Sequence, residues 1–574
     1  MRRLLIIVFI LIISINAIAA ELSASIRKFF DNKPADARYR IENDYLFSGT
    51  LLPMFYMNRL YAPAWISPEP NDWVSRKSSI WSKRTAEGYA GKKIISPKGY
   101  ELIGYLRKVG EHGLQPTDFH LALIEKYVSR IQSMIPLPAE DIMKLEILLT
   151  DAFMLLGSQL HYGKVDPEKE GADWQIERKE AELRLDEKLE NALANNDLAN
   201  TLNQLAPNYR SYWIMKNELA FFSSISNLPW PQLKSAKAIK PGETNPLIPR
   251  IRERLITLRY ELSESPSVIF DKELEVQLKK FQEDRGLNPD GEIGKGTLEM
   301  LNTKPDQHIN QLKVNMERFR WLPSKLTDKH IIVNIANFRL DLIEGTDTLF
   351  SMRAIVGNEY RKTPVFNERM TYLVFSPTWT VPPTILKMDV IPELLKGPGY
   401  LKQKNMRLLR LNGKEIDYSE IDWSKISKNR FPYMVQQRPG SDNALGGVKF
   451  MFPNKYNIYI HDTPSKGYFA RDDRALSSGC IRVQDPSGLA RLLLSDLPEW
   501  TTEKIEAAME SGTQQTVQLK TTIDVALRYL TAWGDGHGRV QFRKDIYNRD
   551  EPVLNALNEK PETVKARIIP LVRN

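Results

Sequence analysis

The 574-residue sequence predicts a multidomain α+β protein: a helical scaffold, a small three-helix module, and a mainly-β domain with an inserted capping subdomain. Three observations predict it. Apolar residues recur at helical spacing up to about residue 240, a compact helix-turn-helix pattern follows, and from about Lys329 the apolar period shortens to alternation. At about 100–200 residues per domain, this length holds three or four domains, and 42% hydrophobic content is enough for their cores.

The first element, MRRLLIIVFILIISINAIAA, joins Arg2 and Arg3 to an apolar run from Leu4 to Ile13 and ends on the small-residue pattern Ala17-Ile18-Ala19. This is the pattern of a secretory signal peptide over residues 1–20. The alternative is an uncleaved anchor, but the run is shorter than the ~20 residues that span a bilayer unless it continues through Ser14 and Asn16. No later segment is long and apolar enough to be a membrane helix, so the sequence predicts an exported chain with no span once the signal is removed. The formal charge of +9, two units of which would leave with Arg2 and Arg3, is a modest excess that favours an anionic partner. With neither a basic run nor a recognisable module, nucleic acid is excluded.

Residues 21–240 form the helical scaffold, clearest in IMKLEILLTDAFMLLGSQLH, where Leu145, Leu148, Leu149, Ala152 and Leu156 share one face. It holds no catalytic constellation. In residues 241–303, Leu274, Leu278 and Phe281 make one helical stripe, Gly286 stops that helix, and Asp290-Gly291 and Gly294 turn the chain into a second. The domain over 310–510 begins with HIIVNIANFRLDLIEG, a hairpin about Asn337-Phe338, and DTLFSMRAIVG, a further strand. From about 380 to 443 a non-strand insertion with VPP, ILKMDVIPELLK and Gly397-Pro398-Gly399 breaks the alternation, as a lid over a site does. Residues 511–574 give a C-terminal strand and helix tail.

One cysteine, Cys480, stands in the whole chain, within ALSSGCIRV. A lone thiol cannot form an internal disulfide, so it is either a buried, inert residue or a free reactive one. Its neighbours favour the second. His461 ends the strand-like YNIYI nineteen residues earlier, and an imidazole can take the proton of a thiol or pair with its anion. Two adjacent strands would bring the two within hydrogen-bond reach. Gly479 allows a tight turn that leaves main-chain N–H groups to face an oxyanion. Arg482 would share the face of Cys480 and can hold a thiolate or a substrate carboxylate. Ser477 and Ser478 read alone as turn residues. Trp379 is either a core aromatic or, with Tyr459, a wall of the groove. Seven scattered histidines, no HExxH and one cysteine leave no metal site, and no cofactor is expected.

The span HDTPSKGYFARDDRALSSGCIRV resembles the signature of YkuD-type L,D-transpeptidases. Phe281, Gln282, Gly286, Leu287, Asp290, Gly291, Gly294, Thr297, Leu301 and Asn302 resemble the peptidoglycan-binding type 1 module, which binds a wall ligand or serves as a spacer. With TPVF at 363–366, PTWTVPPTI at 377–385 and RPGSDNALGGVKFMFPN at 438–454, the whole is similar to the large YcbB class of murein L,D-transpeptidases. The commoner family pattern has histidine where Ser478 stands, which leaves His461 as the base.

The resemblance implies that Cys480 attacks the third stem residue, meso-diaminopimelate, of a tetrapeptide donor, releases D-alanine, and passes the acyl group to the diaminopimelate amine of an acceptor stem as a 3-3 cross-link. Water as acceptor would give carboxypeptidase activity. It further implies a Gram-negative periplasmic location, acylation by carbapenems, other cell-wall synthesis enzymes as candidate partners, and Gly479, Cys480 and Ser478 N–H groups at the oxyanion. The Asp462 carbonyl would orient the imidazole. The competing classes are a cysteine peptidase, whose usual motifs are absent, and a non-catalytic wall-binding protein with a relic thiol.

Overall fold

The computed structural model describes residues 20–31, 39–42, 44–48, 51–60, 62–66, 94–133, 137–168, 174–176, 183–323, 326–427 and 429–561. Apart from residue 20, the expected signal peptide lies outside them. No helix among the described residues is long and apolar enough to cross a membrane.

The scaffold is built round α1 (Ala139–Tyr162), which is buried without a break from Leu145 to Leu160 rather than along one stripe. A helix enclosed on all sides needs internal partners for its polar groups. Glu146 accepts the Trp65 and Ile66 N–H groups (2.9 and 3.2 Å), and Asp151 accepts that of Ser48 (2.7 Å), so two buried carboxylates tie earlier segments to the helix. Helix α2 (Arg210–Ile225) closes the scaffold.

Three helices follow: α3 (Ile248–Thr257), α4 (Lys272–Asp284) and α5 (Lys295–Leu301). The side chain of Asp271 caps α4 by accepting the Leu274 N–H (2.9 Å). Gln282 is the hub of this module. Its amide donates to Asp290 Oδ1 (2.8 Å), the Glu292 carbonyl (3.0 Å) and Thr297 Oγ1 (3.2 Å), and its Oε1 accepts the Gly291 N–H (2.9 Å). Four of the motif residues therefore brace one another, which explains their spacing by folding rather than by ligand contact.

Helix α6 (Pro305–Trp321) packs on α2 and leads into the β domain. There β1 (Lys329–Asn334) and β2 (Arg339–Glu344) form the expected hairpin, with Asn334 opposite Arg339, and β3 (Asp347–Gly357) extends it. The remaining strands are β4 (Asn367–Phe375), β5 (Trp379–Thr380), β6 (Met406–Leu409), β7 (Glu415–Ile416), β8 (Met434–Gln437), β9 (Val448–Met451), β10 (Ile460–His461), β11 (Ala475–Ser477), β12 (Ile481–Val483) and β13 (Gln515–Arg528). Strand order β3-β12-β10-β9-β4-β13-β1-β2 returns to β3 through the β2–β3 pairing, so the sheet closes on itself, and β11 continues along β3. Closure removes the sheet edges.

Two findings differ from the sequence reading. The insertion is not free of strands: β5-β8-β6-β7 make a separate four-stranded sheet, and Val381, Val390, Leu394, Leu401, Leu408, Ile421 and Val435 form a core apart from the main one. Strands of two to four residues are too short for alternation to register. The C-terminal segment is also more than a tail. Strand β13 lies between β4 and β1, and α7 (Asp550–Asn558) packs on α6, where Arg318 pairs with Asp550 (2.6 Å).

Candidate active site

Strands β10 and β12 run parallel, with Ile460 opposite Ile481 and His461 opposite Arg482. Cys480 thus precedes the paired stretch and lies level with Tyr459, whose carbonyl accepts the Ile481 N–H (3.1 Å). A cavity of about 720 Å³ opens over this edge, lined by Cys480, His461, Tyr459, Arg482, Ser477, Ser478, Gly479 and, from the insertion side, Trp379. Eight of the nine residues singled out in the sequence meet there. The ninth, Asp462, lies behind the wall: its carboxylate accepts the Gly447 N–H (2.8 Å) and Lys466 (2.6 Å), so it does not face a ligand. Its carbonyl accepts from His461 Nδ1 (2.5 Å).

That bond fixes the tautomer, leaving Nε2 as the basic nitrogen. Burial first, then the Arg482 cation, push the His461 pKa down to about 3, against the pull of the Asp462 and Leu445 carbonyls. Burial likewise pushes the Cys480 thiol up, opposed by hydrogen bonds from the Tyr459 main chain and hydroxyl and by Arg482. The resting pair is therefore a neutral thiol beside a neutral imidazole, not a thiolate–imidazolium ion pair. A base of this kind stays unprotonated as pH falls. The rate of Cys480 acylation is accordingly expected to stay level from about pH 7 to about pH 5, with no limb near the ordinary histidine value. A pH–rate profile bending near that value would show that His461 titrates normally.

Sγ makes its hydrogen bond to the Asn457 carbonyl (3.8 Å), and no sulfur–imidazole bond forms among the described residues, contrary to the direct reach expected from the sequence. The parallel register explains this, since His461 is two residues, or roughly 6.6 Å of strand rise, beyond the position level with Cys480.

The turn before Cys480 is braced from three directions. Gly479 has φ +112°, a conformation that side chains other than glycine rarely adopt, and an added Cβ would come within 3.3 Å of Ile458. Its N–H donates to Ser477 Oγ (3.1 Å), which itself donates to the Cys480 carbonyl (2.6 Å). Gly479 N–H is thus committed in this state, whereas the Ser478 and Cys480 N–H groups make no hydrogen bond among the described residues. From the third side, Thr363 Oγ1 donates to the Gly479 carbonyl (2.7 Å) while accepting the Gly357 N–H (2.9 Å). The Tyr547 hydroxyl donates to the Gly357 carbonyl (2.5 Å) and accepts the Thr363 N–H (3.2 Å). The sequence marks TPVF as a motif without assigning Thr363 this bracing role, and nothing local to Tyr547 marks it at all.

Tyr459, expected only as groove wall, does more: its hydroxyl faces the sulfur and takes a hydrogen bond from Trp379, and burial with Cys480 raises its pKa. Its ring meets His461 edge-on at 5.6 Å between centroids. Arg482 makes no ion pair among the described residues. It is half-buried, burial lowers its pKa, and its charge acts on Cys480 and His461. The scaffold also reaches the cavity, since Gln175 lines it and accepts from the Tyr456 hydroxyl (3.0 Å).

Three comparisons with known proteins bear on this geometry. The L,D-transpeptidase catalytic domain family, YkuD, matches residues 328–518, a scaffold domain matches 79–219, and the "Putative peptidoglycan binding domain" matches 244–301. A Haemophilus influenzae protein named "Putative L,D-transpeptidase" is 35% identical over 256 residues, 44% of this chain and 51% of that one. The chain therefore spans about half the length of this relative. Among solved structures, the L,D-transpeptidase of Xylanimonas cellulosilytica aligns at 14% identity over 52% of this chain and 100% of that one (TM-score 0.17). That of Stackebrandtia nassauensis aligns at 12% over 52% and 97% (TM-score 0.21). At such scores the sequence matches alone carry weight. The family matches fall on the segment that holds the cavity and on the three-helix module: residues 328–518 are similar to the YkuD L,D-transpeptidase catalytic domain and residues 244–301 to the peptidoglycan-binding domain.

Proposed function

We propose that the protein is a murein L,D-transpeptidase that forms 3-3 cross-links through a thioester on Cys480. The observation that carries the reading is the meeting of Cys480 and a tautomer-fixed, neutral His461 in one cavity under the inserted subdomain, inside the family-matched segment. A cell-wall substrate, which the matches to the catalytic and peptidoglycan-binding domains support, goes with a reaction outside the cytoplasm.

In the first step the thiol proton passes to His461 Nε2 as sulfur bonds to the carbonyl carbon of diaminopimelate in the donor tetrapeptide. The Tyr459 hydroxyl and Arg482 stabilise the charge on sulfur, and the Cys480 and Ser478 N–H groups receive the oxyanion. Collapse breaks the C–N bond, and the imidazolium proton leaves with the amine of D-alanine. In the second step the side-chain amine of an acceptor diaminopimelate bonds to the thioester carbon, the C–S bond breaks, and a proton returns to sulfur through His461. The cap limits entry of water, which in the acceptor's place would release a tripeptide.

The test is incubation of the full chain with disaccharide tetrapeptides, followed by mass spectrometry. Wild type is expected to give 3-3 dimers and Cys480→Ala none. Tripeptides alone would make the enzyme a carboxypeptidase. Unchanged tetrapeptide would leave a wall-binding protein with an idle thiol, and an equally active Cys480→Ala would refute catalysis by Cys480.

A further inference from the structure

We propose that Arg361 is the receptor for a carboxylate of the stem peptide, and that Asp389 of the inserted subdomain occupies it until substrate takes its place. The inference rests on the L,D-transpeptidase reading of Cys480 and extends it to recognition of the donor.

Arg361 lies in the turn between β3 and β4, which is tied to the nucleophile's loop. Its N–H donates to Asn358 Oδ1 (2.8 Å), and the Asn358 N–H donates to the Ser477 carbonyl (2.9 Å). The guanidinium forks onto Asp389, with Nη1 2.7 Å from Oδ2 and Nη2 3.3 Å from Oδ1. The same Nη1 donates to Ser478 Oγ (2.9 Å), two residues from Cys480. Paired N–H donors on two carboxylate oxygens are the geometry by which arginine recognises a carboxylate of any origin.

Three features mark Asp389 as a stand-in. Arg361 and Ser478 line the cavity and Asp389 does not, so the pair straddles its rim. Arg361 is the only hydrogen-bond partner of the Asp389 carboxylate among the described residues, and Asp389 is half exposed (51%), where an ion pair is weak. The cavity lining contains Arg361, Lys362, Arg482 and Arg549 but no aspartate or glutamate. A carboxylate entering that cationic, less hydrated space meets Arg361 on better terms than Asp389 does from the rim.

The exchange has a mechanical side. Asp389 sits on a wide helical turn, Leu386–Val390, of the subdomain whose core is separate from the main core. Its pair with Arg361 joins the two bodies directly over the nucleophile's loop. Substrate that captures Arg361 releases this tie, so recognition and adjustment of the cap occur together. The hydroxyl of Ser478 then serves recognition, because it accepts from the guanidinium and keeps it aimed at the cavity.

The experiment measures Cys480 acylation by mass spectrometry for three donors: the tetrapeptide acid, its C-terminal amide and its diaminopimelate amide. Iodoacetamide alkylation of Cys480 serves as a probe of an intact, accessible thiol. In wild type the C-terminal amide is expected to fall in kcat/KM by about tenfold or more, the worth of a charged hydrogen bond. If the diaminopimelate amide falls instead, the receptor reads that carboxylate. Arg361→Gln should level acid and amide donors while iodoacetamide still alkylates it at the wild-type rate. Asp389→Asn should lower KM for the two donors that keep the carboxylate Arg361 reads and leave the donor that lacks it unchanged. The proposal is overturned by Arg361→Gln that keeps the wild-type preference, or by Asp389→Asn that shifts all donors equally or none. A wild type that alkylates but accepts no donor overturns the transpeptidase reading, and this proposal with it.

Discussion

Replacing His461 by alanine is expected to slow acylation of Cys480 by about 10²–10⁴-fold near neutral pH, the range contributed by a positioned general base. The size of the effect follows from the resting charge state. Burial holds the thiol protonated, so little thiolate exists without a group to remove the proton. No other candidate base lines the cavity. Its remaining ionisable residues are Arg361, Lys362, Arg482 and Arg549, with Tyr456 and with Tyr459, whose pKa burial and Cys480 raise. The carboxylate of Asp462, next to His461 in sequence, is held behind the wall by Gly447 and Lys466, and that of Asp389 is taken up by Arg361 at the rim. The deficit should shrink in alkaline solution, where the thiol ionises unaided, and this distinguishes loss of a base from loss of the fold. A His461→Ala protein that acylates as fast as wild type near neutral pH would refute the pairing.

The largest expected loss of stability lies far from the cavity. Arg320 and Glu317 on α6 form a salt bridge of 2.6 Å in which both side chains are fully buried (0% exposed). Arg320 also donates to the His112 carbonyl and to the Tyr212 hydroxyl (3.0 Å), while Glu317 accepts the Val165 N–H (2.7 Å), so the pair holds α6 against the scaffold. At Gly163, φ is +86° and an added Cβ would come within 2.6 Å of Glu317 Oε1, which shows how closely the chain is laid over the carboxylate. Arg320→Met should lower unfolding stability by about 3–5 kcal/mol, because it strands a buried charge. Adding Glu317→Gln should recover part of that loss, since the stranded charge is then gone. Denaturant unfolding of the two proteins checks both statements. A single mutant as stable as wild type would mean that water reaches Glu317.

Periodic and chemically distinctive features were legible in the sequence. The β1–β2 hairpin, α4 with its stop at Gly286, and the presence of Cys480 and His461 on one cavity, though not their direct reach, were readable, because alternation, helical stripes and a lone thiol leave local marks. What escaped depends on contacts distant in sequence. Thr363 holds the Gly479 carbonyl across 116 residues, Tyr547 holds Thr363 across 184, and Gln175 meets Tyr456 at the cavity across 281. The sheet within the insertion escaped because its strands span only two to four residues. The commitment of Gly479 N–H to Ser477 shows a further limit. A glycine before a nucleophile marks a special backbone conformation, but which donors stay open depends on where neighbouring hydroxyls turn.

The position of β13 orders the assembly of the catalytic domain in time. Pairing in parallel with β1 and antiparallel with β4, this strand must come from residues 515–528, although its neighbours are complete by Phe375. Until the chain through Arg528 has been made, those two neighbours present unpaired edges, and an apolar half-barrel stands open to association with other chains. Such sequence-distant pairing is slow to form. The rate at which active protein appears during refolding should therefore follow docking of β13, and the vulnerable interval for aggregation is the time before that strand arrives.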